Sequence, residues 1–235
     1  MRALLAYLHK CFMTSYRYAP PTFVYLLGII FVYSVVPNPV MGSYAFSASF
    51  LFIVSIALSA AVIDLERTNQ ELVTSMHAGS LSKLNMAKVL YSWLFTLPLG
   101  WFAVAYPALT NKFDRAASLE ELLMATGYHA AAAWLGASIA CWFTVKLFAS
   151  RVQSLMLLAA VIACSLGAKG LENVLPQGWD NVLHVLPPIR FSIHAMMNYD
   201  SVSWAMKLWA MIAPLLYGSV SVLVFAIVMN KRKLN

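Results

Sequence analysis

The strongest constraint on this chain is a series of apolar runs of near-spanning length, set apart by short polar links. They cover residues 22–36, 44–63, 89–109, 128–148, 152–168 and 208–229. A bilayer core about 30 Å thick asks for roughly 20 apolar residues in helical form, and most of these runs come close to that. Only 11% of the chain is charged and 61% is hydrophobic, against about a quarter charged in a soluble domain. The pattern therefore predicts an all-α membrane protein: one transmembrane domain over residues 1–235 with six transmembrane helices and no separate globular unit. Cys11, Cys141 and Cys164 have no paired spacing and read as packing residues. The N-terminus lacks the short apolar core and small-residue cleavage site of a secretory signal, so the whole chain reads as mature.

Small residues recur at four-residue spacing along several runs. Ser55 and Ser59 mark the second, Ala132, Gly136 and Ala140 the fourth, and Ala159, Ala163 and Gly167 the fifth. Such ridges let helix backbones approach closely, within a subunit or between subunits. Pro98 and Gly100 are placed to kink the third run, and Lys146 to snorkel from the end of the fourth.

The segments between the runs carry the organisation. Residues 1–19 form an interfacial amphipathic helix, with Leu5, Leu8, Phe12 and Tyr16 on one face and Lys10, Thr14 and Arg17 opposite. Residues 64–88 form the longest polar interruption between strongly apolar runs. A helix is expected there from Leu65 to about Met76, stopped by Gly79; Ser80 or Ser82 then caps a second helix that runs through Leu84 and Lys88 into the third run. Residues 169–207 form an outer segment of two or three short helices, punctuated by Pro176, Gly178, Pro187 and Pro188, at the membrane surface or dipping partly into it.

The Lys and Arg bias sets the orientation. Six spans put Arg2, Lys10, Arg17, Arg67, Lys83, Lys88, Lys146, Arg151, Lys231, Arg232 and Lys233 on one side, and Lys112, Arg115, Lys169, Arg190 and Lys207 on the other. Both termini and the 64–88 segment are thus expected in the cytoplasm. The formal net charge of +7 is explained by topology and anionic lipid, with no need of nucleic acid.

Chemistry inside the runs is sparse. None carries a central Asp or Glu, and no histidine is expected mid-span: His77, His129, His184 and His194 read as headgroup-level residues and His9 as interfacial. No two histidines share the spacing of a metal site, and no glycine-rich phosphate loop occurs, so no metal or cofactor is expected in the chain itself. Gly136-Ala137-Ser138 resembles the start of a serine-nucleophile turn but lacks the closing glycine; an intramembrane hydrolase using Ser138 is one alternative reading, and a noncatalytic assembly subunit another. Glu120 and Glu121 after Ser118 read as a capped helix start.

Taken together, the chain resembles the six-span permease subunits of ATP-binding-cassette exporters of the second type. The resemblance covers nearly the whole chain. Its local motif follows span two: the acidic-basic pair Glu66-Arg67, the pair Glu71-Leu72, a break at Gly79, the small polar Ser80 and Ser82, and Lys88 at the start of span three. The chain departs from that pattern in having Met76-His77-Ala78 where a proline is common, and Thr68 and Asn69 where a glycine is usual. Leu186-Pro187-Pro188 is similar to the family's proline-containing segment before span six.

The resemblance implies that residues 64–88 form a coupling hairpin docked on a separate ATPase subunit, which would bind ATP and Mg. Glu66, Arg67, Gln70 and Glu71 would make polar contacts, while Leu72 and Met76, with Leu65, would anchor the helix to its own subunit or to the partner. It further implies a second permease subunit, identical or related, an amphipathic peptide, lipid or drug-like substrate moved outward, and a bacterial plasma membrane. Span two, span five and the outer segment would form the path.

Overall fold

The computed structural model describes residues 1–144, 147–148, 150–172 and 185–232. Among these residues the chain is helical, with no strand and a single bridge between Asn38 and Phe113. Three helices are long and apolar enough to cross a membrane: α3 (Val40–Ile63), α5 (Leu81–Leu109) and the last helix over Trp204–Met229. Two shorter apolar helices accompany them, α2 (Ala19–Val32) and α7 (Arg151–Leu166).

The centre of the fold is α6 (Leu119–Ala140), which packs against α3, α5 and the last helix. It begins at Leu119 rather than near Tyr128, because Ser118 and Glu121 form a reciprocal capping box that starts the helix in the preceding polar loop. It ends at Ala140, well short of Phe148; Lys146 lies outside the described residues. Despite its length α6 is not among the strongly apolar helices: it carries Glu120 and Glu121 in its first turn and Tyr128 and His129 farther along. Neighbouring helices cover most of it, and Ala125, Ala131, Ala132, Ala133, Leu135 and Ala137 are all buried.

Small residues decide how closely these helices approach. A Cβ added at Gly136 would lie 2.7 Å from the carbonyl oxygen of Phe52, so the α3 backbone occupies the space a side chain would need. Ser55 Oγ donates to the carbonyl of Ala133 at 2.7 Å across the same contact. Ser59, Ala132 and Ala140 are also buried. The ridge on α7 behaves differently: Ala159, Ala163 and Gly167 are exposed, and Cys164 beside them is exposed too.

The N-terminal helix α1 (Arg2–Ser15) buries Leu8 and Phe12 against α5, where Phe12 meets Tyr91 and Phe95 edge-on. Tyr16 does not share that face: it ends α1 in the left-handed conformation with its side chain exposed. Pro20 and Pro21 stand in the first turn of α2, where a missing N–H costs nothing.

After α7 comes α8 (Ala168–Glu172); Pro176, Gly178 and His184 lie outside the described residues. The chain resumes at Val185 and forms α9 (Ile189–Met197), followed by α10 (Trp204–Arg232). Tyr217 donates to the carbonyl of Val185 at 2.9 Å, and Ser192 to that of Ala210 at 2.6 Å. Tyr217 stands near the middle of the apolar stretch of α10, so residues 185–188 reach about half the depth of that helix and α9 climbs back beside it. Residues 185–192 thus pack alongside the middle of α10.

Candidate functional site

The polar segment after α3 folds around one lysine. Helix α4 runs from Thr68 to Ala78, not from Leu65, because residues 64–67 turn Glu66 inward and Arg67 remains extended as the N-cap. Gly79 ends α4 at φ 87°, in the left-handed region that glycine tolerates. The Oγ of Ser80 then accepts from the backbone N–H of Lys83 and starts α5; Ser82 lies inside that helix.

Lys88 is fully buried on α5, and the acidic residues around it account for that. Its Nζ lies 2.8 Å from Glu66 Oε2, donates to Glu71 Oε1 at 3.0 Å, and donates weakly to the carbonyl of Ile63 at 3.4 Å. Glu66 Oε1 accepts from Thr74 Oγ1 at 2.6 Å and from the Tyr7 hydroxyl at 3.0 Å. Gln70 Nε2 donates to the same tyrosine oxygen at 3.0 Å. Burial alone would raise the pKa of Glu66, but Lys88, Thr74 and Tyr7 together hold it below the usual carboxylate range. Burial pushes the Tyr7 hydroxyl up, which keeps it a donor.

This network ties four elements into one piece: the end of α3, the start of α5, α4 and α1. Arg17 adds a hydrogen bond from Nη1 to the carbonyl of Asp64 at 2.9 Å, and His9 meets the Tyr91 hydroxyl at 3.2 Å. The N-terminal helix therefore braces the hairpin through named side chains.

Burial divides the expected contact residues: two of the four polar ones turn inward and the apolar ones turn outward. Glu66 and Glu71 are buried within the chain and are not free to touch a partner's surface. Leu72, Val73 and Met76 are 49%, 56% and 80% exposed, so Leu72 and Met76 do not anchor α4 to its own subunit. Arg67 and Gln70 are exposed. The physical reason is that Lys88, about two turns into α5, needs carboxylates more than α4 needs an apolar contact. The opposite charges at Glu66, Glu71 and Lys88 were the sequence signal for this pairing. A groove of about 470 Å³ runs between α1 and α4, with Leu4, Tyr7, Val73 and His77 among its walls and Lys83 at its side.

A second cavity lies deeper. An apolar cleft of about 790 Å³ opens between α6, α7, α9 and α10, bounded by Trp142, Phe143, Val161, Phe191, Trp209 and Tyr217 among others. Residues 185–188 form part of its wall, and irregular backbone at such depth is tolerated where it lines a cavity or is covered by protein. Two of its polar groups are satisfied internally: Trp142 Nε1 donates to Ser221 Oγ at 2.8 Å, and Tyr217 to Val185. Helix α3, which carries the second apolar run, does not line this cleft.

Two residues singled out for chemistry take structural places. Ser138 is buried, its Oγ donates to the carbonyl of Leu135 at 2.7 Å, and no histidine hydrogen-bonds to it among the described residues. His129 is not at headgroup level: it is buried within α6, with Nδ1 2.7 Å from the carbonyl of Ala125 and Nε2 2.9 Å from Ser47 Oγ. The carbonyl can only accept, so the proton sits on Nδ1 and Ser47 donates to Nε2. Counting histidines by their distance from run ends missed this one because α6 starts earlier than its apolar run.

Comparison with known proteins finds no matching family model, no similar curated protein and no similar solved structure.

Proposed function

We propose that the chain is the transmembrane subunit of an ATP-driven exporter, with six membrane-crossing or partly crossing helices, in which α4 receives the stroke of a separate ATPase subunit. One observation carries the reading. Helix α4 is fixed by Lys88, Glu66 and Glu71 to the end of one long apolar helix and the start of another, while its outer face offers Leu72, Val73 and Met76. A push on that face moves α3 and α5 together, because the buried ion pairs resist being pulled apart. The Lys and Arg bias supports a cytoplasmic position for α4, where an ATP-binding partner would be found.

In this reading the chain binds no ATP and performs no bond chemistry. Two copies, or this chain and a related one, ride on two ATPase subunits, and the deep apolar cleft suits an amphipathic cargo. No observation favours the hydrolase alternative, since the Ser138 hydroxyl is committed to a helix carbonyl.

The test uses the exposed face rather than the buried carboxylates. Leu72→Asp with Met76→Asp should leave thermal stability nearly unchanged, because both side chains project outward. The same pair should abolish co-purification of the ATPase, or its stimulation in proteoliposomes. Full retention of both activities would overturn the coupling role of α4.

A further inference from the structure

Helix α10 consists of two arms joined at a proline. Pro214 lies inside the helix, has no N–H to donate, and leaves the carbonyl of Ala210, four residues back, without its helical partner. Ser192 on α9 supplies that partner: its Oγ donates to the Ala210 carbonyl at 2.6 Å, and both residues are fully buried. A hydroxyl from a neighbouring helix thus replaces the missing backbone donor, and α9 is docked on the turn of α10 that backbone bonding holds least.

The first arm, residues 204–213, is held by a further set of contacts. Lys207 is buried, with Nζ 3.5 Å from Glu120 Oε1 on α6, 3.6 Å from the centre of the Tyr199 ring and 5.5 Å from that of Trp204. Tyr199 donates to the same Glu120 oxygen at 2.7 Å, and Tyr128 on α6 donates to the Lys207 carbonyl at 2.9 Å. The second arm is attached separately, toward the other end of α6. There Ser221 accepts from Trp142 Nε1 at 2.8 Å, and a Cβ added at Gly218 would come within 2.8 Å of the Trp134 ring. Both arms contribute to the wall of the apolar cleft: Trp209 and Ala213 come from the first, Leu216, Tyr217 and Val220 from the second.

We propose that α10 is a hinged gate, its first arm pivoting at Pro214 against the second, with Lys207 seated on Glu120 and Tyr199 as the latch that holds that arm to α6. Two features suit a latch rather than a fixed joint. The Glu120 side chain is 46% exposed, so water can take the place of the amine. An ammonium on the face of one ring is also held from a single direction and can withdraw along it. The Lys88 trio, with side chains 0%, 1% and 7% exposed, has no such access to water. Because Trp209 and Ala213 travel with the first arm, pivoting changes the width of the cleft at one end. Calling that motion a transport step rests on the exporter reading; the hinge itself does not.

The purified chain in neutral detergent tests the hinge. Ala210→Cys places a thiol at a fully buried position on the first arm. Its modification by N-ethylmaleimide is followed by peptide mass spectrometry, which counts Cys11, Cys141 and Cys164 separately. Where the arm opens and closes faster than it is modified, the rate follows the open population. Lys207→Gln should raise that rate roughly fivefold, equivalent to about 1 kcal/mol, and Glu120→Gln, at a half-exposed side chain, should raise it less. Ser192→Ala should raise it several-fold beside Pro214 and matter much less in a Pro214→Ala chain, whose restored N–H satisfies the Ala210 carbonyl. Ser221→Ala, which releases only the second arm, should leave the rate within about twofold. An unchanged rate in both Lys207→Gln and Glu120→Gln, an equal Ser192→Ala effect with and without the proline, or the same rise in Ser221→Ala would each overturn the proposal. Opening that follows this pattern without ATP-linked export would sink the exporter reading alone.

Discussion

Replacing Lys88 by methionine isolates what the buried ion pairs contribute. At 2.8 and 3.0 Å from its two carboxylates, the ammonium gains about 5–6 kcal/mol from each at an effective dielectric near 20. Mutual repulsion of the carboxylates and the desolvation of three ions, several kcal/mol each, cancel most of that gain. The intact trio is therefore close to neutral for stability, whereas the trio without its cation is not.

In Lys88→Met two buried carboxylates face each other, and the least costly escape is to protonate one. From an ordinary value of 4.5, neutralising a carboxylate at pH 7 costs about 3.4 kcal/mol. That falls within the roughly 3–5 kcal/mol measured when one partner of a buried pair is removed. We expect Lys88→Met to lose that much stability in denaturant titrations of the micellar protein followed by tryptophan fluorescence. The loss should shrink as pH falls from 7 toward 5, since protonation then costs less. The triple variant Lys88→Met, Glu66→Gln, Glu71→Gln should recover most of it. A single-variant loss below about 1 kcal/mol, or a triple variant no better than the single, would refute the reasoning.

Two further outcomes follow from packing and charge. Gly136→Ala forces a Cβ to within 2.7 Å of the Phe52 carbonyl and should cost about 1–3 kcal/mol in the same titration; Gly170→Ala, with nothing within 4 Å, should be silent. Arg115 and the Ser118 cap hold the Glu121 carboxyl down to about 2 from 4.5. A depressed pKa stabilises the fold fully above 4.5 and loses that contribution as pH falls toward 2, so Arg115→Gln should flatten the acid slope of stability between those values.

Much of the architecture was legible because lipid-facing helices announce themselves. The three longest apolar helices fall on runs visible in the sequence, since their outer surfaces must match hydrocarbon whatever lies beside them. The Ser118 cap and the Gly79 stop were legible for a local reason: each satisfies or releases backbone groups within a few residues. What escaped depends on partners distant in the chain. Glu66 and Glu71 look like surface residues of a polar hairpin until Lys88 is brought to them. His129 looks terminal until the capping box moves the start of α6, and Ser47, far away in sequence, supplies the partner that lets it be buried. The deep cleft was invisible because it arises from residues 185–188 turning into the bundle beside Tyr217.

The position of α6 bears on how such a chain is made. A helix bearing two glutamates in its first turn and a histidine farther along partitions poorly into hydrocarbon by itself. The helices that precede it, α3 and α5, present the glycine- and serine-lined surface that it fits, and both leave the ribosome first. Its placement in the bilayer is then a templated step during synthesis rather than an independent partitioning event. The last helix, strongly apolar, follows in the chain and packs against α6 from another side. Exchanging the order of these segments in a permuted chain would leave every contact possible and still leave α6 with nowhere to wait.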